Sequence, residues 1–322
     1  SRAPRPETDA MSETSASDSA PRFSAHLLLP QWWPTWIGVG LIRLLVLLPI
    51  SWQLPLGEGL GRLIGVFMRG RRTVVDTNLR MCFPDMPPDE RSQLVDAQFA
   101  SLGRGLFEAA LAWFASDERL APHFEIEGRE HLDAARASGK GLLLLTGHFS
   151  TLELGARVVV LSGQMPFHAM YRPYKNKVMD FCMHRFRGNK AGLPALPRDD
   201  LRTMVKALRA GRAIWYAPDQ TLDMRQSVFV PFFGVPTLSV VATSRLARMG
   251  RARVLPYMPQ KTPRGWKVRF FPMIENFPGE DERVDAERIN QALEAGIRLA
   301  MPEYFWVHKR FKRRPEGETA VY

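Results

Sequence analysis

Residues 141–157 read GLLLLTGHFSTLELGAR, and this stretch decides the fold. The apolar run 141–145 predicts a buried strand, because a short continuous apolar segment has no polar face to offer water. Thr146 and Gly147 end it in a turn. His148 follows, and Ser150 opens an apolar-periodic helix with Glu153 in its first turn. A histidine at the end of a buried strand is held rigidly while its ring faces a cleft. It can draw the proton from a hydroxyl so that the oxygen attacks an acyl donor, and a nearby carboxylate can orient the ring and stabilise its imidazolium.

Glu153 carries two readings. Ser150-Thr151-Leu152-Glu153 is S-x-x-E, a capping box in which the glutamate bonds back to the cap backbone. Five positions on a continuous helix place two side chains about 140° apart, so within one helix His148 and Glu153 share no face. If Ser150 caps the helix, His148 lies outside it and its ring can fold back over the first turn. Orienting His148 and capping the helix are then compatible. The free N–H groups of that helix start, with their partial positive charge, could stabilise an oxyanion on an attacked acyl carbonyl.

Outward from this unit, strands and helices alternate. Residues 89–114 and 150–161 predict helices, as do 199–210 with Asp199 as cap, 238–249 and 282–300. Residues 212–217, 253–257 and 266–271 predict strands. The pattern predicts an α/β sandwich whose central sheet is largely parallel and flanked by helices. Asp219 closes the strand in WYAPDQ (215–220), at the edge where open α/β sheets place their ligands; a turn or N-cap aspartate reads the same way on pattern alone.

The N-terminal part differs. Residues 1–24 are polar, Ser- and Pro-rich, and predict a disordered leader. Residues 36–54, WIGVGLIRLLVLLPISWQL, nearly reach the roughly 20 apolar residues that span a bilayer. Trp32, Trp33, Trp36 and Trp52 flank them as an interfacial belt, and Arg69, Arg71 and Arg72 follow. Residues 25–72 are therefore read as a membrane anchor with a basic flank, spanning or monotopic. The domain boundaries that follow are 73–317 for the chemistry and 318–322 for a tail.

The net charge of +11 suits an anionic partner: a membrane surface, an acidic substrate or carrier protein, or nucleic acid. In the C-terminal tail Lys309, Arg310, Lys312, Arg313 and Arg314 interleave with Phe305, Trp306 and Phe311, which beside an anchor suits anionic lipid head groups better than nucleic acid. Two cysteines, scattered histidines and the lack of H-E-x-x-H predict no metal site. The lack of G-x-G-x-x-G and Walker motifs predicts no nucleotide cofactor, and the lack of G-x-S-x-G predicts no acyl-serine intermediate.

H-x-x-x-x-E after a strand resembles the H-x-x-x-x-(D/E) signature of glycerolipid-type acyltransferases. HFSTLELGAR (148–157) resembles more narrowly the late acyltransferases of lipid A biosynthesis, of lauroyl or myristoyl type. NLRMCFPDM (78–86), SLGRGLFEAALAWF (101–114), YRP (171–173), RFRGN (185–189), ALPRDDL (195–201), WYAPDQ, SVFVPFFG (227–234) and WVHKRFKRRPEG (306–317) match that family in order. The resemblance spans roughly residues 30–317. It implies a glycerolipid-acyltransferase-like sandwich without a cofactor. It further implies direct acyl transfer from an acyl carrier protein thioester to a hydroxyl of a 3-hydroxyacyl chain on the Kdo-bearing lipid A precursor. The expected place is the bacterial inner membrane, with the catalytic domain facing the cytoplasm.

By the same resemblance His148 is the general base, Glu153 its partner, and Arg185 and Asp219 match catalytic or substrate-binding positions. Arg172 and Arg187 join them as expected phosphate or carboxylate ligands, since the guanidinium fork bonds such groups bidentately. Thr221-Leu222-Asp223 departs from the family's acidic-aromatic-glycine turn, which puts acceptor and chain-length preference in doubt. The competing readings are another glycerolipid or glycolipid acyltransferase with the same His–Glu site, and a non-catalytic, membrane-attached basic binding protein.

Overall fold

A computed structural model describes residues 21–220 and 224–322. Most of the expected leader and the divergent turn 221–223 lie outside them. Among the described residues two short 3-10 turns (Ala25–Leu28 and Pro30–Trp32) lead into α1 (Trp33–Leu45), α2 (Ile50–Phe67), α3 (Arg69–Cys82) and α4 (Pro88–Phe114), then the single turn α5 (Asp117–Leu120). The alternating part runs β1 (Phe124–Glu127), α6 (Arg129–Ala137), β2 (Leu142–Leu145), α7 (Leu152–Leu161), β3 (Phe167–Tyr171), α8 (Lys177–Ala191), β4 (Leu196–Pro197), α9 (Leu201–Arg209) and β5 (Ala213–Tyr216). A hairpin β6 (Ser227–Phe232) and β7 (Val235–Val240) precedes α10 (Ala242–Gly250), β8 (Arg253–Thr262), β9 (Gly265–Phe270) and α11 (Glu282–Leu299).

The seven-stranded sheet has the order β1-β9-β8-β2-β5-β3-β4. Every neighbouring pair is parallel except β8–β9. The four leucines of β2 explain themselves here. Leu143 and Leu145 join one core with Ile214, Tyr216 and Val254, while Leu142 and Leu144 join a second with Ala213, Trp215 and Leu255. Alternate side chains leave opposite faces of a strand, and helices cover both faces, so no position on β2 is left for a polar residue.

Three expectations need correction. Residues 238–240 are not helical: Leu238 lies in β7, whose antiparallel ladder sets Leu238 opposite Phe229. The hairpin turns through Phe233 and Gly234, both at positive φ, the backbone of a tight two-residue link. The cap of α9 is Asp200, one residue later than expected, with its side chain accepting the Thr203 N–H at 3.1 Å.

The third correction concerns the anchor. The apolar run 36–54 is cut between α1 and α2, because Pro49 has no N–H with which to continue a helix. Gln53 and Arg119 satisfy the freed carbonyl of Leu48, at 2.6 Å each. Among the described residues no helix is long and apolar enough to cross a membrane. α2 is nonetheless apolar on the outside. Trp52, Leu56, Leu60, Leu63, Ile64 and Phe67 recur at helical spacing and are all exposed, Phe67 at 79%. Its inner face is glycine: Gly57, Gly61 and Gly65 lie against α4, where a Cβ on Gly61 would stand 2.1 Å from the Phe99 carbonyl oxygen. α1 repeats the pattern with exposed Trp33, Ile37, Leu41 and Leu44.

Candidate active site

β2 and β5 are adjacent and parallel, with Leu145 in register with Tyr216. His148 follows Leu145 by three residues, and Asp219 follows Tyr216 by three. Register alone therefore brings both side chains to the same edge of the sheet. The Nδ1 of His148 and the Oδ1 of Asp219 are 2.5 Å apart, and Oδ2 accepts the backbone N–H of His148 at 2.8 Å. One carboxylate thus fixes both the turn and the ring. With Nδ1 committed as donor, Nε2 is the free nitrogen, and the ring keeps 34% of its surface exposed.

The electrostatics of the two groups are coupled. Burial works against charge on His148, but the charge and hydrogen bond of Asp219 outweigh it and raise the histidine above its ordinary value, against a smaller opposing effect of Arg187. Asp219 is buried, which alone would raise its pKa. His148, through charge and two hydrogen bonds, and Arg310 together pull it down to about 2. A base whose imidazolium is stabilised by a fixed carboxylate is the arrangement that general-base activation of a hydroxyl requires.

The family follows from the whole chain. The model of the bacterial lipid A biosynthesis acyltransferases matches residues 20–313. The chain belongs to this family and is an acyltransferase. It is 41% identical over 307 residues to the lipid A biosynthesis lauroyltransferase of Escherichia coli (strain K12), covering 94% of this chain and 99% of that one. It is 36% identical to the palmitoleoyltransferase of the same organism over 94% and 98% of the two chains. The myristoyltransferase of that organism is 27% identical over 95% of each chain.

Within this acyltransferase Glu153 does not orient His148. Its Oε1 accepts from Arg187 Nε at 3.0 Å and from Arg187 Nη2, and its Oε2 accepts from Trp113 Nε1 at 3.1 Å. The carboxylate that orients the ring is Asp219. The reason is geometric: Glu153 lies within α7 and looks toward α8, while Asp219 comes from the neighbouring strand. The capping box does not form either. The N-cap of α7 is Thr151, without a side-chain cap bond, and the hydroxyl of Ser150 pairs with that of Ser101 at 2.6 Å. Two amides expected for an oxyanion are already used, Ser150 N–H on Glu303 O and Leu152 N–H on Phe149 O.

The arginines separate. Arg187 is half-buried between Glu153 and the ring of Trp215, with its guanidinium carbon 5.4 Å from the ring centroid. Burial opposes its charge, but Glu153 prevails and holds it protonated. Arg185 precedes it by two residues, about 200° around the helix, and is exposed. Arg172, just past β3, is exposed as well. Arg187, Glu153, Trp113, Trp215 and Phe186 line a shallow recess between α4, α7 and α8.

Sequence reasoning missed the other wall. Phe149 and Tyr304 form an isolated antiparallel bridge, flanked by Ser150 N–H to Glu303 O at 2.7 Å and Phe305 N–H to His148 O at 2.9 Å. The chain after α11 therefore holds the His148 turn from below. The basic tail beyond it is not a free stripe. Trp306 and Phe311 are buried, and Arg310 is buried over the ring of Phe232, donating to Leu238 O at 3.0 Å. Asn78 of NLRMCFPDM clamps this segment by donating to the carbonyls of Trp306 and His308. Lys309, Lys312 and Arg313 remain exposed.

Proposed function

We propose that this acyltransferase moves a fatty acyl group from an acyl carrier protein thioester to a hydroxyl of a 3-hydroxyacyl chain on the Kdo-bearing lipid A precursor. The observation that carries the reading is the His148–Asp219 pair at the ends of two adjacent strands. Nε2 of His148 takes the hydroxyl proton as the oxygen attacks the thioester carbonyl. The C–S bond then breaks, and the imidazolium returns the proton to the departing thiolate. Asp219 stabilises the imidazolium in between. Transfer is direct, in a ternary complex. Arg185 and Arg172, both exposed, are offered as contacts for the precursor's phosphates and carboxylates. Glu153 and Arg187 shape the recess beside the base, and the surplus of positive charge suits an acidic carrier protein.

We infer that α1 and α2 lie in the interface of the bacterial inner membrane rather than crossing it, with the catalytic part on the cytoplasmic side. The support is the inverted helix: apolar outside, glycine inside. Arg69, exposed at the start of α3, suits an anionic lipid head group, whereas Arg71 donates to Val307 O at 3.1 Å and Arg72 pairs with Asp96 at 2.6 Å. To test the function, the protein is incubated with the lipid A precursor and a panel of acyl carrier protein thioesters, and product lipids are weighed by mass spectrometry. One added acyl chain, absent with the His148→Ala variant, supports the reading. Parental turnover by folded His148→Ala refutes it.

A further inference from the structure

Arg104, in the middle of α4, is almost wholly buried and touches three carboxylates from three parts of the chain. Its Nη1 donates to Glu58 of α2 at 2.9 Å, its Nε to Glu108 of α4 at 3.0 Å, and its Nη2 to Glu303 after α11 at 3.1 Å. Glu108, fully buried, also accepts from Trp266 Nε1 of β9 at 2.9 Å. Apolar residues would join these segments as firmly, since removing so many charges from water consumes most of what their attraction returns. What the ionic set adds is fixed geometry, and that geometry converges on the His148 turn.

The same Nη2 donates to Ser101 Oγ at 3.2 Å, and Ser101 Oγ is 2.6 Å from Ser150 Oγ. Glu303, the other acceptor of Nη2, takes the Ser150 N–H on its backbone oxygen. One guanidinium nitrogen thus grips Ser150 from both sides, two residues beyond His148. α4 also abuts the turn directly: a Cβ on Gly105 would stand 2.8 Å from Ser150 O. On its far side the cluster reaches α2 through Glu58, which is a third exposed.

We propose that Arg104 is a positioning residue for acyl transfer, tying the seat of α2, the helix with the apolar outer face, to the turn that holds His148. This rests on the function proposed above. Displacing the base by about 1 Å is enough to cost on the order of 100-fold in rate without weakening substrate binding.

The test compares Arg104→Gln, Arg104→Lys, Ser101→Ala and Glu58→Ala with the parent, full-length and in vesicles, reading kcat, KM for the lipid acceptor, and melting temperature. Arg104→Gln is expected to lose roughly 100-fold in kcat with KM within about twofold. Arg104→Lys fails to rescue, because a single ammonium cannot reproduce the fork that spans three carboxylates. Ser101→Ala and Glu58→Ala each lower kcat about tenfold while melting near the parent, and they decide the matter if Arg104→Gln does not fold. Parental kcat in either variant, a loss confined to KM, or full rescue by lysine overturns the proposal. A parent that transfers no acyl group, or an active His148→Ala, instead refutes the assigned reaction before Arg104 is at issue.

Discussion

Replacing Asp219 with asparagine is the most informative single change, because the carboxylate does three things and the amide can do only one. Oδ1 meets the ring N–H of His148 and Oδ2 meets its backbone N–H. The amide offers one acceptor oxygen for these two donors and no charge. Asp219 is buried and its pKa lies near 2, against an ordinary 3.8. Burial opposes that depression, so the attraction of His148, the largest favourable contribution, exceeds the roughly 2–3 kcal/mol that the net change represents. The same attraction stabilises the imidazolium that forms during transfer, so its loss slows the chemical step by about 100-fold, and a misplaced tautomer slows it further. The pH dependence carries a sign. The base must be neutral, so kcat/KM falls as pH drops through the His148 pKa, which in the parent lies above the ordinary 6.5. Without the Asp219 charge the imidazolium loses its main support, and the acid limb moves to lower pH. The assay is initial rate of acyl transfer across pH 5–9 for parent and Asp219→Asn, with melting curves to confirm folding. A folded variant with parental rate, or an acid limb that stays in place, refutes the pairing as the catalytic unit.

Glu153→Gln leaves the acid limb where it is, because Glu153 bonds Arg187 and Trp113 rather than His148; it lowers stability by about 1–3 kcal/mol by half-breaking a mostly buried pair, read as a drop in melting temperature. Arg187→Lys impairs turnover more than Arg185→Lys, since Arg187 makes two bonds to Glu153 and stacks on Trp215 while Arg185 is exposed; equal effects would undo the separation of the two arginines. Gly61→Ala forces α2 off α4, at a cost of about 1–3 kcal/mol, and an unchanged melting temperature would contradict the close packing. Leu63→Ser combined with Phe67→Ser weakens vesicle binding at least about tenfold and leaves the parent's resistance to high salt as the contrast; full release of the parent by salt alone would contradict an apolar seat.

Much of the fold is legible in the residues because its signals are local. Four consecutive leucines bounded by Thr146-Gly147 fit a short strand covered on both faces, and the structure has that strand, with His148 just past its end. The candidate base follows from that stretch, and the α/β class from the alternation of strands and helices beyond it. The partner of the base does not. Glu153 is near His148 along the chain, but a helix turns it toward Arg187, whereas Asp219, 71 residues away, arrives through the register of β2 with β5. Sequence spacing measures distance along one element, and the site is assembled across two. Arg185 and Arg187 show the same limit: the motif supplies both, and only the rotation of α8 against α7 decides which one faces the carboxylate. The run 36–54 is apolar enough to suggest a span, yet Pro49 breaks it and glycines fold the second helix flat against α4, so packing decides that its apolar residues face outward. Composition fixes how much apolar surface the N-terminal helices carry; the close approach of two backbones, which glycine alone permits, fixes where that surface points.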